Sequence, residues 1–221
     1  MTRIKICGLF RPCDVDSVNE ARPDWCGFLI NFPKSRRSRT PEQVRALRAR
    51  LDPAVIPVGV FVDRPAEEVA ALLRDGTIAA AQLHGHEDPD YAAALREAAP
   101  GREIWRAFQV RGPADLERAA AFPADRILLD SGQGTGRTFD WSLLKDFPRP
   151  YLLAGGLTPE NLPQAIRTLR PYGVDLSSGV ETDGCKDFTK IQAAVAAARK
   201  EGYPCPKDDL ASTAGSTSPR R

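Results

Sequence analysis

Short apolar runs alternate with longer amphipathic segments along most of the chain. Each run spans only four to seven residues, a length typical of strands that are buried on both faces of a parallel sheet. Eight such strands are predicted, at residues 3–7, 25–30, 56–62, 79–83, 103–108, 126–130, 151–154 and 173–176. A helix is predicted after each strand, beginning near residues 12, 40, 65, 88, 113, 140, 158 and 187.

The second helix also carries a start signal, because Thr40, Pro41 and Gln43 have the pattern of a capping box with proline at the first helical position. Regular alternation of strand and helix implies parallel strands joined by right-handed crossovers. Eight units within 221 residues favour a closed (β/α)8 barrel over an open doubly wound sheet. We therefore expect a single α/β barrel domain over residues 1–202, followed by a disordered tail at 203–221 that is rich in Pro, Ser and Thr.

Composition excludes several classes of protein. The 31 basic and 29 acidic residues nearly cancel, so nothing in the charge indicates a nucleic-acid or membrane partner. No apolar run approaches the length of a membrane span and the amino terminus lacks the pattern of a signal peptide, so we expect a soluble, cytoplasmic protein. The five cysteines are odd in number and form no Cys-x-x-Cys pair, which argues against a disulfide framework and against a structural zinc site.

Two strand ends carry candidate acid–base groups. In a barrel of this kind the carboxyl ends of all strands meet at one mouth, where such folds keep their chemistry. Cys7 ends the first strand, and Asp130 ends the sixth and precedes a glycine-rich segment at 132–136. A thiolate can remove a proton from carbon and a carboxylic acid can donate one to oxygen, so the pair could act as general base and general acid. Taken singly, such a thiol is more often a small buried apolar group and such a carboxylate a mark of strand exit.

Lys5 lies two residues before Cys7 and therefore projects to the same face of the first strand. An ammonium near a thiol lowers the thiol's pKa and raises the thiolate fraction, so Lys5 is a candidate thiolate-supporting residue. Asp175 on strand eight, the barrel neighbour of strand one, offers Lys5 an alternative role as a counterion. Both roles could hold at once.

Strands seven and eight end in small residues that suit a phosphate group. Their backbone N–H groups can approach a ligand closely, and barrels often bind phosphate after these two strands. The alternative is that the glycines merely terminate strands. The phosphate-binding candidates are Gly155, Gly156, Ser177 and Ser178.

Three further residues are candidates for substrate binding. Gln82 and His84 end strand four and should line the mouth. His84 and His86 have a His-x-His spacing, but no nearby cluster of Cys, Asp or Glu completes a ligand set, so we expect no metal. Arg37, in the loop after strand two, could hold a carboxylate by two hydrogen bonds, although an arginine in such a basic loop could equally be a surface charge.

Taken in order, the motifs of the chain resemble those of the phosphoribosylanthranilate isomerase family. They are KICG at 5–8, GF at 27–28 followed by PKSRR, VGVFV at 58–62, QLHG at 82–85, LLD at 128–130 with GTGRTFDW, LAGGLTPEN at 153–161, VDLSSGVET at 174–182 and KD at 186–187. Any one motif is weak, but the ordered set is specific and spans roughly residues 3–200.

The resemblance implies the Amadori rearrangement of N-(5'-phosphoribosyl)anthranilate in tryptophan biosynthesis, with a phosphosugar substrate and neither metal nor organic cofactor. By motif, Cys7 corresponds to the family's general base, Asp130 to its general acid and Arg37 to the arginine that contacts the anthranilate carboxylate. Asp175 should line the pocket. The loop after strand two is one residue longer than the common form, so Arg36 could take the place of Arg37. A monomer and a homodimer are both compatible with the sequence. The phosphate loops of the family correspond to Gly155, Gly156, Ser177 and Ser178.

Two other functions stay open at this point. The related isomerase of histidine biosynthesis performs the same rearrangement, but that family resembles this chain less well, because it uses a carboxylate on strand one where Cys7 stands. The other alternative is a barrel that only binds a phosphorylated ligand or docks a partner enzyme. Such a protein has no reason to keep a thiol, a lysine and a carboxylate at one mouth.

Overall fold

Eight parallel strands hydrogen-bond in chain order and close on themselves, as the alternation of short apolar and longer amphipathic segments predicts. The computed structural model describes residues 1–131 and 141–201. The predicted tail at 203–221 and the glycine-rich segment at 132–136 lie outside these ranges. The barrel strands are β1 (Arg3–Cys7), β2 (Trp25–Leu29), β3 (Ile56–Phe61), β4 (Ala80–Leu83), β5 (Glu103–Gln109), β6 (Arg126–Asp130), β7 (Tyr151–Ala154) and β8 (Gly173–Leu176).

Helices cover the outside of the barrel. In the described part of the chain they are α1 (Pro12–Ala21), α2 (Pro41–Arg48), α3 (Ala66–Arg74), α4 (Pro89–Ala98), α5 (Pro113–Ala121), α6 (Leu162–Leu169) and α7 (Phe188–Lys200). The capping box predicted for α2 is present, with Thr40 Oγ1 accepting from the Gln43 amide. Between β6 and β7, where a short helix was predicted, the described residues form a 3-10 turn, Trp141–Leu144. No helix within the described ranges is long and apolar enough to cross a bilayer.

The beginning of α6 differs from the prediction. The sequence places it at Thr158, whereas residues 159–161 form a turn and the helix begins at Leu162. The reason is the side chain of Asn161, whose Oδ1 accepts from the Thr158 amide at 2.9 Å. Its Nδ2 donates to the carbonyl of Gly156, also at 2.9 Å. Asparagine commonly competes with helix formation in this way, and here it fixes the loop that follows β7.

A small antiparallel hairpin that the sequence analysis did not predict follows β8. It consists of β9 (Glu181–Thr182) and β10 (Cys185–Lys186), in which Glu181 pairs with Lys186. Asp183 and Gly184 at its tip both have positive φ, 49° and 75°. These values match the tight turn that Asp-Gly favours between antiparallel strands. The hairpin brings two charged residues next to the barrel mouth.

The strands separate two apolar layers. The outer layer, between the strands and the helices, includes Ile4 and Ile6 of β1, which are fully buried. The inner layer lies inside the barrel and includes Val58, Leu128 and Leu152.

Aromatic residues close the barrel at the amino ends of the strands. The rings of Trp25 and Trp105 meet edge to face at 5.2 Å. The guanidinium of Arg126 lies 5.5 Å from the Trp25 ring, 5.7 Å from the Trp105 ring and 5.0 Å from the Tyr172 ring. We call this group, Trp25, Trp105, Arg126 and Tyr172, the aromatic floor. It leaves the carboxyl ends of the strands as the accessible end of the barrel interior.

Candidate active site

A cavity of about 430 Å³ opens at the carboxyl ends of the barrel strands. Its volume is within the range of pockets that take small-molecule ligands. Apolar side chains such as Leu29, Val60 and Leu128 form part of the wall. Every predicted site residue except Lys5 lines this one space, namely Cys7, Arg37, Gln82, His84, Asp130, Gly155, Gly156, Asp175, Ser177 and Ser178.

The thiol of Cys7 lies beside a buried ion pair. Lys5 is fully buried, and its Nζ donates to the two oxygens of Asp175 at 3.0 and 3.1 Å. A Cβ placed on Gly27 of β2 would lie 2.7 Å from Cys7 Sγ and 3.1 Å from Lys5 Nζ, so the two groups approach the same point. Lys5 is thus the counterion of Asp175 and also a neighbour of the thiol. Both roles left open by the sequence have a geometric basis.

Burial raises the pKa of the Cys7 thiol above its ordinary value. Lys5 lowers that pKa, as expected of a nearby ammonium, but the Asp175 carboxylate opposes it. Burial would lower the pKa of Lys5, yet its attraction to Asp175 and Cys7 raises it instead, so the ammonium keeps its charge. Lys5 therefore acts on the thiol in the predicted direction, while the net pKa of the thiol still lies on the high side.

Asp130, at the carboxyl end of β6, lies against the loop that follows β7. A Cβ on Gly155 would come within 2.5 Å of Asp130 Oδ1 and 2.6 Å of Ser131 Oγ. Ser131 Oγ in turn donates to the Gly155 carbonyl at 3.0 Å. The φ of Gly155 is +91°, a conformation that side chains other than glycine rarely adopt. The close approach of the carboxylate to this loop therefore depends on glycine at position 155.

The loops after β7 and β8 are held together at the edge of the cavity. A Cβ on Gly179 would overlap a carbonyl oxygen of the loop after β7, so this position also requires glycine. Asn161 Nδ2 fixes the Gly156 carbonyl, and Ser177 Oγ donates to the carbonyl of Cys7 at 3.2 Å. Loops with small residues and fixed backbone orientation suit an anion that takes several N–H donors.

Arg37, rather than Arg36, reaches the cavity. The Arg37 side chain crosses Gly8, on which a Cβ would lie 2.7 Å from Arg37 Cδ. The side chain of Arg36 is 53% exposed and does not line the cavity. Both arginines contact Glu181: Arg37 donates from Nε and Nη2, each at 2.7 Å, and Arg36 from Nη2 at 2.9 Å. Of the two residues that the sequence left open, the geometry favours Arg37.

Two buried charges behind Arg37 were missed by the sequence analysis. Glu181 and Lys186 belong to the β9–β10 hairpin, and Lys186 Nζ donates to Glu181 Oε1 and to the Ser177 carbonyl, both at 2.8 Å. Both residues fall in motifs that carry the family resemblance, but no role was assigned to them. The signal that could have found them is the Asp-Gly turn, because it predicts the hairpin that carries them.

Gln82 and His84 present polar groups to the same cavity. Gln82 is buried, and among the described residues no hydrogen-bond partner is found for its Oε1. A buried acceptor of this kind is available to a ligand. Burial lowers the pKa of His84 despite the opposing charges of Asp130 and Asp175, so its imidazole is neutral at physiological pH.

The two histidines of the His-x-His pattern point to different surroundings. His84 lines the cavity, whereas His86 is exposed and its Nδ1 lies 3.0 Å from a carboxylate oxygen of Asp63. Within residues 1–131 and 141–201, no group of three or more His, Cys, Asp or Glu side chains is arranged to hold a metal ion.

Comparison with known proteins identifies the family. The family model described as N-(5'phosphoribosyl)anthranilate (PRA) isomerase matches residues 4–197, most of the chain. The chain belongs to the phosphoribosylanthranilate isomerase family. The phosphoribosylanthranilate isomerase of Acetivibrio thermocellus is 43% identical over 206 residues, covering 87% of this chain and 93% of the relative. The phosphoribosylanthranilate isomerase of Desulforudis audaxviator is 42% identical over 212 residues, covering 90% of this chain and 99% of the relative.

Solved structures agree with this assignment. Phosphoribosylanthranilate isomerase from Thermotoga maritima superposes with a TM-score of 0.81 at 37% identity, covering 90% of this chain and all of the other. A phosphoribosylanthranilate isomerase in complex with reduced 1-(o-carboxyphenylamino)-1-deoxyribulose 5-phosphate gives a TM-score of 0.79, also at 37% identity and with 90% of this chain and 100% of that chain covered.

The chain is thus an isomerase of tryptophan biosynthesis, as the motifs predicted. Its reaction is that of the phosphoribosylanthranilate isomerase family, the Amadori rearrangement of N-(5'-phosphoribosyl)anthranilate to 1-(2-carboxyphenylamino)-1-deoxy-D-ribulose 5-phosphate. The histidine-pathway isomerase is therefore not the family of this chain.

Proposed function

We propose that Cys7 is the general base and Asp130 the general acid of this rearrangement. The observation that carries the proposal is that both side chains line one cavity of about 430 Å³, from strands β1 and β6. Loops suited to an anion and the Arg37 guanidinium line the same space. A ribose held by its phosphate would therefore have a thiol and a carboxyl group within reach.

The proton transfers follow from these positions. Protonated Asp130 donates to the ribose ring oxygen, the ring C1'–O bond breaks, and the nitrogen lone pair forms a Schiff base. Cys7 thiolate then removes the proton from C2', and the electron pair neutralises the iminium nitrogen to give an enolamine. The enolamine then tautomerises to the ketoamine: the C2' hydroxyl gives up its proton as the C2' carbonyl forms, and C1' gains a proton. The Cys7 thiol releases the proton that it took and the Asp130 carboxylate regains one through solvent, which restores both groups. General acid and general base catalysis of this type contributes typically 10²- to 10⁴-fold each.

The remaining predicted residues orient the substrate in this proposal. Gly155, Gly156, Ser177 and Ser178 bind the phosphate, and Arg37 binds the anthranilate carboxylate. Gln82 and neutral His84 contact the sugar, supported by the unpaired Oε1 of Gln82 among the described residues. The relative that binds a reduced carboxyphenylamino-deoxyribulose phosphate supports a phosphosugar ligand that carries both anionic groups.

Lys5 is proposed to support the Cys7 thiolate while neutralising Asp175. A buried ammonium beside both groups stabilises each negative charge. Without it, the thiol would lie next to an uncompensated carboxylate, and its ionised form would be rarer.

One chain is sufficient for the proposed chemistry, because every residue assigned a role belongs to the same barrel. A relative from Thermotoga maritima is described as dimeric. This chain could act as a monomer or as a homodimer without a change in mechanism. A charged biosynthetic intermediate as substrate supports the expected cytoplasmic location.

Two substitutions with matched controls test the acid–base pair. Turnover is followed by the loss of substrate fluorescence with phosphoribosylanthranilate. Cys7→Ala and Asp130→Asn should each lower kcat by at least about 100-fold while leaving the thermal unfolding midpoint nearly unchanged. The controls are Cys13→Ala, at an exposed thiol, and Asp125→Asn, at the residue that immediately precedes β6. They should keep kcat within about twofold.

The outcomes separate the competing functions. Full activity in Cys7→Ala and Asp130→Asn would show that these side chains are not the acid and the base. A parent protein that turns over only the histidine-pathway intermediate would contradict the substrate, and one that binds the product analogue without turning over either compound would be a non-catalytic barrel.

A further inference from the structure

Glu181 is a buried carboxylate that receives three cationic side chains at the edge of the cavity. Its side chain is only 4% exposed. Arg37 donates to both of its oxygens at 2.7 Å, Lys186 donates to Oε1 at 2.8 Å and Arg36 donates to Oε2 at 2.9 Å. Burial of a carboxylate with this many partners is costly unless the geometry is well matched, so the arrangement calls for an explanation.

The pairing with Arg37 leaves one edge of the guanidinium available. Arg37 uses Nε–H and one hydrogen of Nη2 for Glu181. A guanidinium has five N–H donors in one plane, so both hydrogens of Nη1 and the second hydrogen of Nη2 remain. One hydrogen of Nη1 and the second hydrogen of Nη2 form the end-on fork that binds a carboxylate through two parallel hydrogen bonds. One arginine can therefore hold Glu181 on one edge and a ligand carboxylate on the other.

Glu181 is also fixed by two lysines, Lys186 of the hairpin and Lys190 of α7. It pairs with Lys186 across the β9–β10 hairpin, and Lys190 Nζ of α7 donates to its carbonyl at 2.8 Å. Lys186 Nζ also reaches the Ser177 carbonyl in the loop after β8. Burial would raise the pKa of Glu181, but the hydrogen bonds from Arg37 and Lys186 outweigh it and lower the pKa to about 2. The carboxylate therefore stays charged and in place at working pH.

The charges around Glu181 do not exclude an anionic ligand. One carboxylate faces Arg36, Arg37 and Lys186, so the group as a whole remains positive. A second carboxylate, brought by the substrate, would find Arg37 already oriented and would not have to immobilise a free side chain. Preorganisation of this kind strengthens binding because the ordering has taken place beforehand.

We propose that Glu181 is a positioning residue for carboxylate recognition, which holds Arg37 by its Nε edge so that the opposite edge binds the aryl carboxylate of the substrate. The inference rests on the proposed role of Arg37. Lys186, which donates to the same carboxylate, also donates to the carbonyl of Ser177 and so fixes Glu181 against the loop after β8.

The test measures selectivity for the carboxylate rather than overall affinity. The ligands are reduced 1-(o-carboxyphenylamino)-1-deoxyribulose 5-phosphate and the same compound without its aryl carboxylate, and each Kd is measured by calorimetry. The ratio of the two Kd values in the parent protein reports the contribution of the carboxylate. Glu181→Gln should reduce this ratio by about tenfold, which corresponds to 1.4 kcal/mol, and should change the Kd of the ligand without carboxylate by less than about twofold.

The matched control lies at the opposite end of the barrel. Glu103 accepts from Nε and Nη2 of Arg126 at 3.0 and 2.8 Å, the same two-bond geometry as the pair at the mouth. Glu103→Gln should leave the ratio unchanged. Glu181→Asp, which keeps the charge but is one methylene shorter, is a second variant in case Glu181→Gln does not fold. Its ratio of the two Kd values should lie below that of the parent protein.

Arg37→Ala distinguishes failure of this inference from failure of the proposed function. If Arg37→Ala brings the ratio of the two Kd values to about one while Glu181→Gln and Glu181→Asp keep the parent's ratio, Arg37 binds the carboxylate without help and the inference is wrong. An equal loss of affinity for both ligands in the Glu181 variants also overturns it, because that result indicates a structural role. If Arg37→Ala retains the ratio, the role proposed for Arg37 fails and the inference fails with it.

Discussion

Replacing Gly155 with alanine adds one methyl group at the point where Asp130 meets the loop after β7. The added Cβ would lie 2.5 Å from Asp130 Oδ1 and 2.7 Å from the backbone nitrogen of Ser131, whereas ordinary contact begins at 3.4 Å. The carboxylate oxygen must therefore retreat by about 0.9 Å, the difference between 3.4 and 2.5 Å. Rotation of one side chain cannot relieve the clash, because the methyl group also meets backbone.

The substitution should lower both the rate of turnover and the stability. A displacement of about 1 Å in a catalytic group can cost about 100-fold in rate, which corresponds to about 2.7 kcal/mol of transition-state stabilisation. The positive φ of Gly155 adds a strain of about 1–2 kcal/mol to the free energy of unfolding when a side chain is present. We therefore expect kcat to fall by about two orders of magnitude in a protein that is still folded at 25 °C.

Gly76→Ala is the control for backbone strain. Its φ is +76°, close to that of Gly155, and a Cβ there would have no neighbour within 4 Å. Urea unfolding should show a loss of stability in both variants, and the loss should be larger in Gly155→Ala because only there does the added Cβ also meet neighbouring atoms. Steady-state assays by substrate fluorescence should show a loss of kcat only in Gly155→Ala. A kcat for Gly155→Ala within about threefold of the parent would refute the reasoning, because the proposed acid would then tolerate displacement.

Other predictions concern the charged groups of the site. Lys5→Met should move the acidic limb of the pH profile of kcat/KM to higher pH. The reason is that the ammonium lowers the pKa of Cys7, so its loss makes the thiolate rarer at a given pH. An unshifted limb would indicate that Lys5 has only a structural role. The same variant should lose about 3–5 kcal/mol of stability in urea, since it leaves Asp175 without its ammonium, and adding Asp175→Asn should restore part of the loss; additive losses would contradict the pairing. Arg37→Ala should raise KM by at least about tenfold. Arg36→Ala, which removes a half-exposed side chain, should change KM by less than about twofold, and the reverse order of effects would reassign the carboxylate contact.

Most of the barrel could be predicted because its strands are buried on both faces and appear as short apolar runs. Their ends were found to within one residue, and those of β7 and β8, at 151–154 and 173–176, coincide with the prediction. The hairpin could not be found from periodicity, because each of its strands has only two residues. The start of α6 was misplaced because a side-chain hydrogen bond of Asn161 converts the predicted first turn into part of a loop.

The candidate site was predictable wherever topology alone brings residues together. The carboxyl ends of parallel strands share one edge, so Cys7 and Asp130 could be expected at the same mouth despite their separation in sequence. The contact between Arg37 and Glu181 joins a loop to a hairpin that was not predicted, and no local sequence pattern predicts this contact. The net direction of the Cys7 pKa was also beyond the sequence, because it depends on how deeply the thiol is enclosed.

The aromatic floor has a practical consequence for spectroscopy. The chain has three tryptophans, and two of them, Trp25 and Trp105, are buried together under Arg126 at the end of the barrel away from the mouth. Ultraviolet emission from these two indoles should therefore report whether the barrel strands are packed at the end away from the rim. Unfolding of rim variants can therefore be followed by this intrinsic signal, independently of any assay that depends on ligand.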